Sequence, residues 1–362
     1  MNVLYVDLER EWRGGQSQAL LTVKGLHERG HHVDLVAAAD APLEQRTAPT
    51  GVSVHRVPRL GLRAWAALKI KSLIGRNRYD VIHLNEAHAL TAAWMANAHA
   101  KHPLLISRRI GFPLWKNFIS RARYDAVSRF VSTSEEITQT LIDSGIPAEK
   151  ISIVNEGVVI PPPFTEKERA DARRHFGIAD DRFLFGCVGV FVPEKAHRHL
   201  IEALAEVRKT HPEARLILAG DGECRSDLES LTKRLGQQEA VLFPGFIDNV
   251  GQVYAAVDVF AFPSEYEGLG TSLLVALATG LPVISTACGS LGEVVDHERT
   301  GLISEPDGRM FAAAMARYIE DPELRGKLGK AARAEAEKRF SVDRMVENTV
   351  RTYQEVIAER AG

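Results

Sequence analysis

Glu267 stands in the part of the sequence best suited to chemistry. It follows a predicted strand over 257–262, in the run PSEYEGLGTSLLVALATGLPVIST. The order there is strand, acid-bearing turn, Gly268 and Gly270 around Leu269, then a helix from Thr271. Thr271 and Ser272 are suited to cap that helix, and the free N–H groups of its first turn make a seat for an anion such as phosphate. A carboxylate at Glu267 accepts hydrogen bonds from hydroxyls, which a sugar would offer. The same pattern also describes a plain capped helix packed on a strand.

Lys195 follows a second predicted strand, over 183–190, in the run VFVPEKAHRHLIEAL, where a helix begins. A lysine at a helix N-terminus is unfavourable unless an anion joins the two. Gly14-Gly15 opens another βα turn near the start of the chain. Two such loops and one lysine suit a diphosphate. The acids do not form Asp-x-Asp and the 13 histidines lack ligand spacing, so no metal site and no cofactor is expected. A nicotinamide site is excluded as well, because Gly220-Asp221-Gly222 lacks the third glycine of G-x-G-x-x-G.

The elements that must position these residues alternate. Strands are expected at 2–7, 32–37, 52–57, 80–84, 104–107, 126–132 and 151–155, with helices after 14–15, over 87–98 and up to 145. A proline-rich stretch at 161–163 leads into a second series. Its strands are expected at 183–190, 215–220, 240–243, 257–262 and 282–286, and its helices at 195–209, 223–235 and 271–279. Strand–helix alternation indicates parallel sheets covered on both faces. The expected fold is α/β, two doubly wound Rossmann-like domains facing across a cleft that holds the ligand. A last helix from about 341 carries Met345, Thr349, Tyr353 and Val356 along one face.

The 362 residues suit two domains, and 45% hydrophobic with 25% charged residues is ordinary for a globular chain. A net charge of −2 argues against a protein built to hold nucleic acid. Residues 1–160 carry 20 Lys and Arg against 15 Asp and Glu, and residues 161–362 carry 25 against 32. Three dispersed cysteines do not make a disulfide framework. With no signal-peptide pattern and no long apolar run, a cytoplasmic protein is expected.

Several blocks together resemble one family. The GG opening, DVIHL, VGVFVPEKAHRHLIEAL, LILAGDGE, VLFPGF and DVFAFPSEYEGLGTSLLVALATGLPVIST…GEVVD…TGLI are similar to retaining glycosyltransferases of the GT-B fold. These form the large bacterial group that includes lipopolysaccharide and mannosyl transferases. The resemblance implies an N-terminal acceptor-side domain at 1–160, completed by the C-terminal helix at about 345–362, and a donor domain at 161–344. It implies sugar transfer from a nucleotide diphosphate sugar, of UDP, GDP or ADP type, to a glycan or glycolipid acceptor hydroxyl. Retention, independence of metal and a role in cell-envelope polysaccharide or lipopolysaccharide synthesis come with it.

Carried over by position, Glu267 would contact the donor sugar, and Gly268, Leu269, Gly270, Thr271 and Ser272 the diphosphate. Lys195 and Gly15 would meet the same phosphates, Phe246 would lie beside the base, and Glu293 is the acid after the last glycine loop. Packing or capping is an equal reading for Phe246 and Glu293. Three positions depart from the pattern. Val275 stands where a second acid usually holds the ribose, forfeiting a charged hydrogen bond of about 1.5–3 kcal/mol. Val190 replaces an arginine. Asn85 replaces the second histidine of His-x-His, leaving His83, Asn85 or His88 to contact the transferred sugar or, equally, to pack in the core.

On the acceptor side, Arg108 and Arg109 in SRRIGFPLWK would suit an anionic acceptor, or else are solvated loop residues. The run RLGLRAWAALKIKSLIGRNR, at 59–78, is basic and apolar and suits contact with an acidic membrane surface, so the inner face of the cell membrane is a second expected location. Its cations scatter around the helical axis. Two alternatives remain: a nucleotide-sugar epimerase on the same fold, and a non-catalytic sugar-nucleotide-binding descendant, which Val190 and Val275 would favour.

Overall fold

The computed structural model describes every residue except Phe112, the segment 115–117 and Gly362. Part of the run 107–116 therefore lies outside the described residues, as does position 362 of the expected C-terminal helix. The chain divides into two compact units, one of residues 1–157 with 341–362 and one of residues 158–340.

The first unit is a parallel seven-stranded sheet in the order β3-β2-β1-β4-β5-β6-β7. Its strands are β1 Asn2–Asp7, β2 His32–Ala38, β3 Ser53–Val57, β4 Val81–Leu84, β5 Leu104–Arg108, β6 Arg129–Ser132 and β7 Ile151–Ile153. Both faces are covered, so successive residues of β1 enter different cores. Leu4 and Val6 join the cluster under helices Leu62–Arg76 and Ala87–Met95. Val3 and Tyr5 join the cluster under helix Gly14–Glu28. That is why β1 reads as an unbroken apolar run rather than an alternation.

The final helix, Val342–Ala361, belongs to this first unit. Its stripe of Met345, Thr349, Tyr353 and Val356 is buried, together with Val346. Gly25 lets it approach closely: a Cβ there would lie 2.6 Å from Val346 Cγ2. Each large apolar side chain buried this way contributes about 1.5–3 kcal/mol.

The second unit is a parallel six-stranded sheet in the order β10-β9-β8-β11-β12-β13. Its strands are β8 Phe183–Val188, β9 Ala214–Ala219, β10 Val241–Gly245, β11 Val259–Phe262, β12 Val283–Ser285 and β13 Leu302–Ile303. The charged run after the prolines forms helix Glu166–His175, started by a reciprocal capping box between Thr165 and Glu168. In both sheets the strand order reverses beside the first strand, between β1 and β4 and between β8 and β11. The loops leaving the C-terminal ends of those strands are where a doubly wound sheet places a ligand.

Candidate functional site

In the second unit, two loops at the reversal point supply the candidate residues. The loop after β8 turns through a short 3-10 segment, Pro193–Lys195, and Ala196 at φ +49°. Helix Arg198–Val207 begins only after it. The expected helix start at Lys195 is thus corrected, and the charge of Lys195 is answered differently. Its ammonium donates to the carboxylate of Glu267, from the loop after β11. The two side chains keep only 23% and 18% of their exposure, and Lys195 Nζ also lies 5.1 Å from the centroid of the Phe262 ring.

The two loops are tied through their backbones as well. The N–H of Glu265 donates to the carbonyl of Glu194 at 2.8 Å. The Glu265 carboxylate pairs with Arg198 and with His199 Nε2, the latter at 3.1 Å. The His199 bond first, and the Arg198 charge after it, hold the Glu265 pKa below the usual carboxylate range.

Helix Thr271–Thr279 follows the acid, as expected, but its N-cap position is taken by a glycine rather than by Thr271 or Ser272. Its N-cap is Gly270 at φ +69°, where a Cβ would lie 3.0 Å from Phe262 Cε1 and 3.1 Å from Leu291 Cδ2. The left-handed backbone and the crowded site both require glycine, so Thr271 and Ser272 become the first helical residues. Behind Glu267 lies the loop after β12. A Cβ on Gly289, itself at φ +60°, would sit 2.2 Å from the Glu267 carbonyl oxygen. Glu293 is half-buried in the short helix Leu291–Val294 that leaves this loop.

The remaining donor-side positions lie nearby in the same unit. Phe246 follows Gly245 at the end of β10 and is 75% exposed. Val190, in the loop after β8, is 59% exposed. Val275 is half-buried one helical turn beyond Thr271 and packs against the core. Gly220 and Gly222 have a packing task, since a Cβ on Gly220 would lie 1.9 Å from the Gly189 carbonyl. They let the loop after β9 seat against the loop that carries Lys195.

In the first unit, Asp7 at the end of β1 and Asn85 just after β4 centre a buried polar network. Asn85 Oδ1 accepts from Tyr5 Oη and from Arg109 Nη1, each at 2.8 Å. Its Nδ2 donates to Asp7 Oδ2 at 2.5 Å and to the Gly15 carbonyl at 3.3 Å. All four hydrogen-bonding positions of the amide are therefore engaged. Gln16 Nε2 also donates to Asp7, at 3.1 Å. Gly15 is held in the first turn of helix Gly14–Glu28.

His83 has no capacity left either. Nδ1 bonds the Tyr353 hydroxyl at 2.6 Å and Nε2 the Ser107 hydroxyl at 2.8 Å. Burial, and secondarily the charge of Arg109, hold its pKa down to about 3. His83 and Asn85 are thus both engaged inside the first unit, as the packing alternative for these positions has it, while His88 is exposed. Arg109 is held by Asn85 and, at 3.6 Å, by Glu156, so it is not an open anion clamp. The side chain of Arg108 is half-buried.

Two acids of this network escaped the sequence reading. Glu86 caps helix Ala87–Met95 and also accepts from the Leu8 N–H at 3.1 Å. Burial first, then the charge of Asp7, push its pKa up to about 7. Burial likewise raises the Asp7 carboxyl, against hydrogen bonds from the Glu9 N–H, Gln16 and Asn85. Their one sequence signal is an acid at the C-terminal end of a buried strand. Among the described residues, no group of three or more His, Cys, Asp and Glu side chains is placed to hold a metal ion.

Known proteins are similar to this chain along most of its length. Residues 168–335 match the family described as glycosyl transferases group 1, and residues 12–160 match glycosyltransferase family 4. An uncharacterized glycosyltransferase of Methanocaldococcus jannaschii, MJ1607, is 26% identical over 91% of this chain and 91% of its own. A D-inositol 3-phosphate glycosyltransferase of Acidothermus cellulolyticus is 29% identical over 92% of this chain and 84% of its own. The crystal structure of Anabaena HepE in complex with UDP and glucose matches with a TM-score of 0.85 at 23% identity, over 98% of this chain and 99% of that one.

Proposed function

The chain belongs to the group 1 glycosyltransferases and has their GT-B fold, and on that premise we propose that it moves a sugar, with retention, from a nucleoside diphosphate sugar to a glycan or glycolipid hydroxyl. The observation that carries this is the convergence of Lys195 and Glu267 beside the glycine-led start of helix Thr271–Thr279. One cation, one hydroxyl acceptor and a set of backbone N–H groups meet at one strand-order reversal. A diphosphate attached to a sugar has the complementary groups.

In this reading Glu267 accepts hydrogen bonds from hydroxyls of the donor sugar. Lys195 and the N–H groups of Gly268, Leu269, Gly270, Thr271 and Ser272 stabilise the charge that develops on the departing diphosphate. In the first unit Gly15 is a further proposed phosphate contact, and Asn85 holds its turn in place through the Gly15 carbonyl. Phe246 offers an exposed ring to the base, and Glu293 lies in the short helix that leaves the loop backing Glu267. The acceptor hydroxyl attacks from the donor's own face, and the departing phosphate takes its proton. No protein general base is required.

UDP is the first nucleotide to try, because HepE is seen with UDP and glucose; GDP and ADP follow. An envelope glycan or glycolipid is the proposed acceptor class. The test is a thermal-shift and calorimetric screen of the purified chain against UDP, GDP, ADP, TDP and CMP. One clear binder would stabilise the fold by mass action and name the donor nucleotide. A flat response to all five would remove the donor assignment.

A further inference from the structure

We propose that Glu265 is a positioning residue for Lys195 and Glu267. Its carboxylate, held by Arg198 and His199, fixes the loop after β8 against the loop after β11 and so sets where the ammonium and the Glu267 carboxylate stand. This role rests on the donor-site reading above, and Glu265 acts in it through the two loops rather than on the donor. Glu265 stands two residues before Glu267, and Arg198 and His199 stand three and four residues after Lys195. Each side of the contact is therefore close along the chain to one of the two donor-site residues.

On the Lys195 side the contact is anchored in a packed helix. Helix Arg198–Val207 buries Leu200, Ile201, Leu204 and Val207, and it packs along helix Gly308–Glu320. A Cβ on Gly308 would lie 2.7 Å from Glu202 Cβ, so the two helices meet closely at Glu202. The Glu202 carboxylate faces His199 Nδ1 at 3.4 Å, and His199 Nε2 faces Glu265 at 3.1 Å. Both nitrogens of a side chain that keeps only 10% of its exposure are thus taken up by carboxylates.

Helix Arg198–Val207 has no acid in its first turn and no side-chain cap. Glu265, bound to the side chains of its first two residues, brings the negative charge that a helix start favours. The Arg198 bond by itself is a surface ion pair of small worth, since Arg198 keeps 44% and Glu265 38% of its side-chain exposure. The withdrawn His199 gives the contact its fixed geometry. The Glu265 N–H also donates to the carbonyl of Glu194, next to Lys195, at 2.8 Å. Glu265 therefore holds the first loop with its backbone and the helix after that loop with its side chain. Charge develops on the departing diphosphate only in the transition state, so the ammonium must stand in place beforehand. A displacement of about 1 Å can cost about 100-fold in rate.

The experiment compares the full chain with its Glu265→Ala and Glu265→Gln variants, first by amide hydrogen exchange without ligand. Glu265→Ala should speed exchange over residues 263–270 by about tenfold or more and leave the rest of the second unit unchanged. The second readout is hydrolysis of UDP-glucose, then of GDP-glucose and ADP-glucose, with water as the acceptor. Glu265→Ala should lower kcat by about tenfold or more while KM stays within about threefold. Glu265→Gln, which still accepts from Arg198 and His199, should restore most of kcat. His199→Ala should give the same loss as Glu265→Ala, and the double variant no larger one, since both break one contact. Glu265 is exposed, so its variants leave the core intact, and cooperative unfolding within a few degrees of wild type checks this. Unchanged exchange, wild-type kcat in Glu265→Ala, a Glu265→Gln as slow as Glu265→Ala, or additive losses overturn the role. If Glu267→Ala abolishes hydrolysis and Glu265→Ala leaves it unchanged, the positioning role fails alone. If Glu267→Ala hydrolyses like wild type, or the wild-type chain hydrolyses none of the three donors, the donor-site reading fails and the role with it.

Discussion

Lys195 and Glu267, 72 residues apart, form an ion pair that joins the loop after β8 to the loop after β11. Each is largely withdrawn from water and neutralises the charge of the other, which lowers the cost of keeping both at a strand-order reversal. A bound nucleoside diphosphate sugar would exchange this single contact for two, phosphate on Lys195 and hydroxyl on Glu267.

Glu267→Ala should lower kcat/KM by at least about 100-fold, the scale of losing charged hydrogen bonds in a partly buried site. The unfolding midpoint should fall by a few degrees, because the change takes the Glu267 carboxylate from a Lys195 ammonium that is itself largely withdrawn from water. Unchanged turnover with the donor nucleotide found in the screen would remove Glu267 from the site.

Val275→Glu should tighten nucleoside diphosphate binding by about tenfold or more, the equivalent of one added charged hydrogen bond. Calorimetry on the wild type and the variant reads this directly. Equal affinities would mean that the ribose is held by other groups.

Asn85→Ala should destabilise the first unit by about 2–3 kcal/mol in urea unfolding. It strips partners from Tyr5, Arg109, Asp7 and the Gly15 carbonyl at once. A loss below 0.5 kcal/mol, roughly that of an ordinary surface change, would show that the network is held by other bonds.

Glu86 makes stability depend on pH. Its folded pKa is raised to about 7 from 4.5, so between those values the folded state binds more protons than the unfolded one. Stability from this group is present below about pH 4.5 and is lost as pH rises through 7, by up to about 3 kcal/mol. Glu86→Gln should flatten the difference in unfolding free energy between acidic and mildly alkaline buffer. An unchanged slope would assign the effect to another group.

Gly289→Ala should lower transfer by about tenfold or more, since the added Cβ meets the Glu267 carbonyl and the residue has positive φ. Steady-state kinetics beside a thermal midpoint separate a displaced Glu267 from general unfolding. Wild-type kinetics would show that the loop yields without moving the acid.

Local pattern carried the sequence reading a long way. Asn2–Asp7 and Thr271–Thr279 have the expected bounds because an apolar run closed by an acid, and a helix closed by Gly280, are signals within a few residues. The second unit's β8 ends at Val188 rather than 190, and its helix starts at Arg198 rather than 195. There, Gly189 and Val190 still look like strand, while the loop packing that draws them off the ladder comes from Gly220 and Gly222.

The sequence by itself determined the two doubly wound sheets, the final helix's buried stripe, and the residue types able to meet phosphate and hydroxyl groups. Periodicity and turn chemistry encode these over short spans. Only the tertiary structure decided which polar groups remain available. His83 reaches Tyr353 across 270 residues, and Asn85 reaches Tyr5 across 80. Those bonds exist because β4 lies beside β1 and the last helix packs on the first unit. A hydrogen-bonding group is committed by whichever partner the sheet order brings within 3 Å, and spacing along the chain does not reveal that partner.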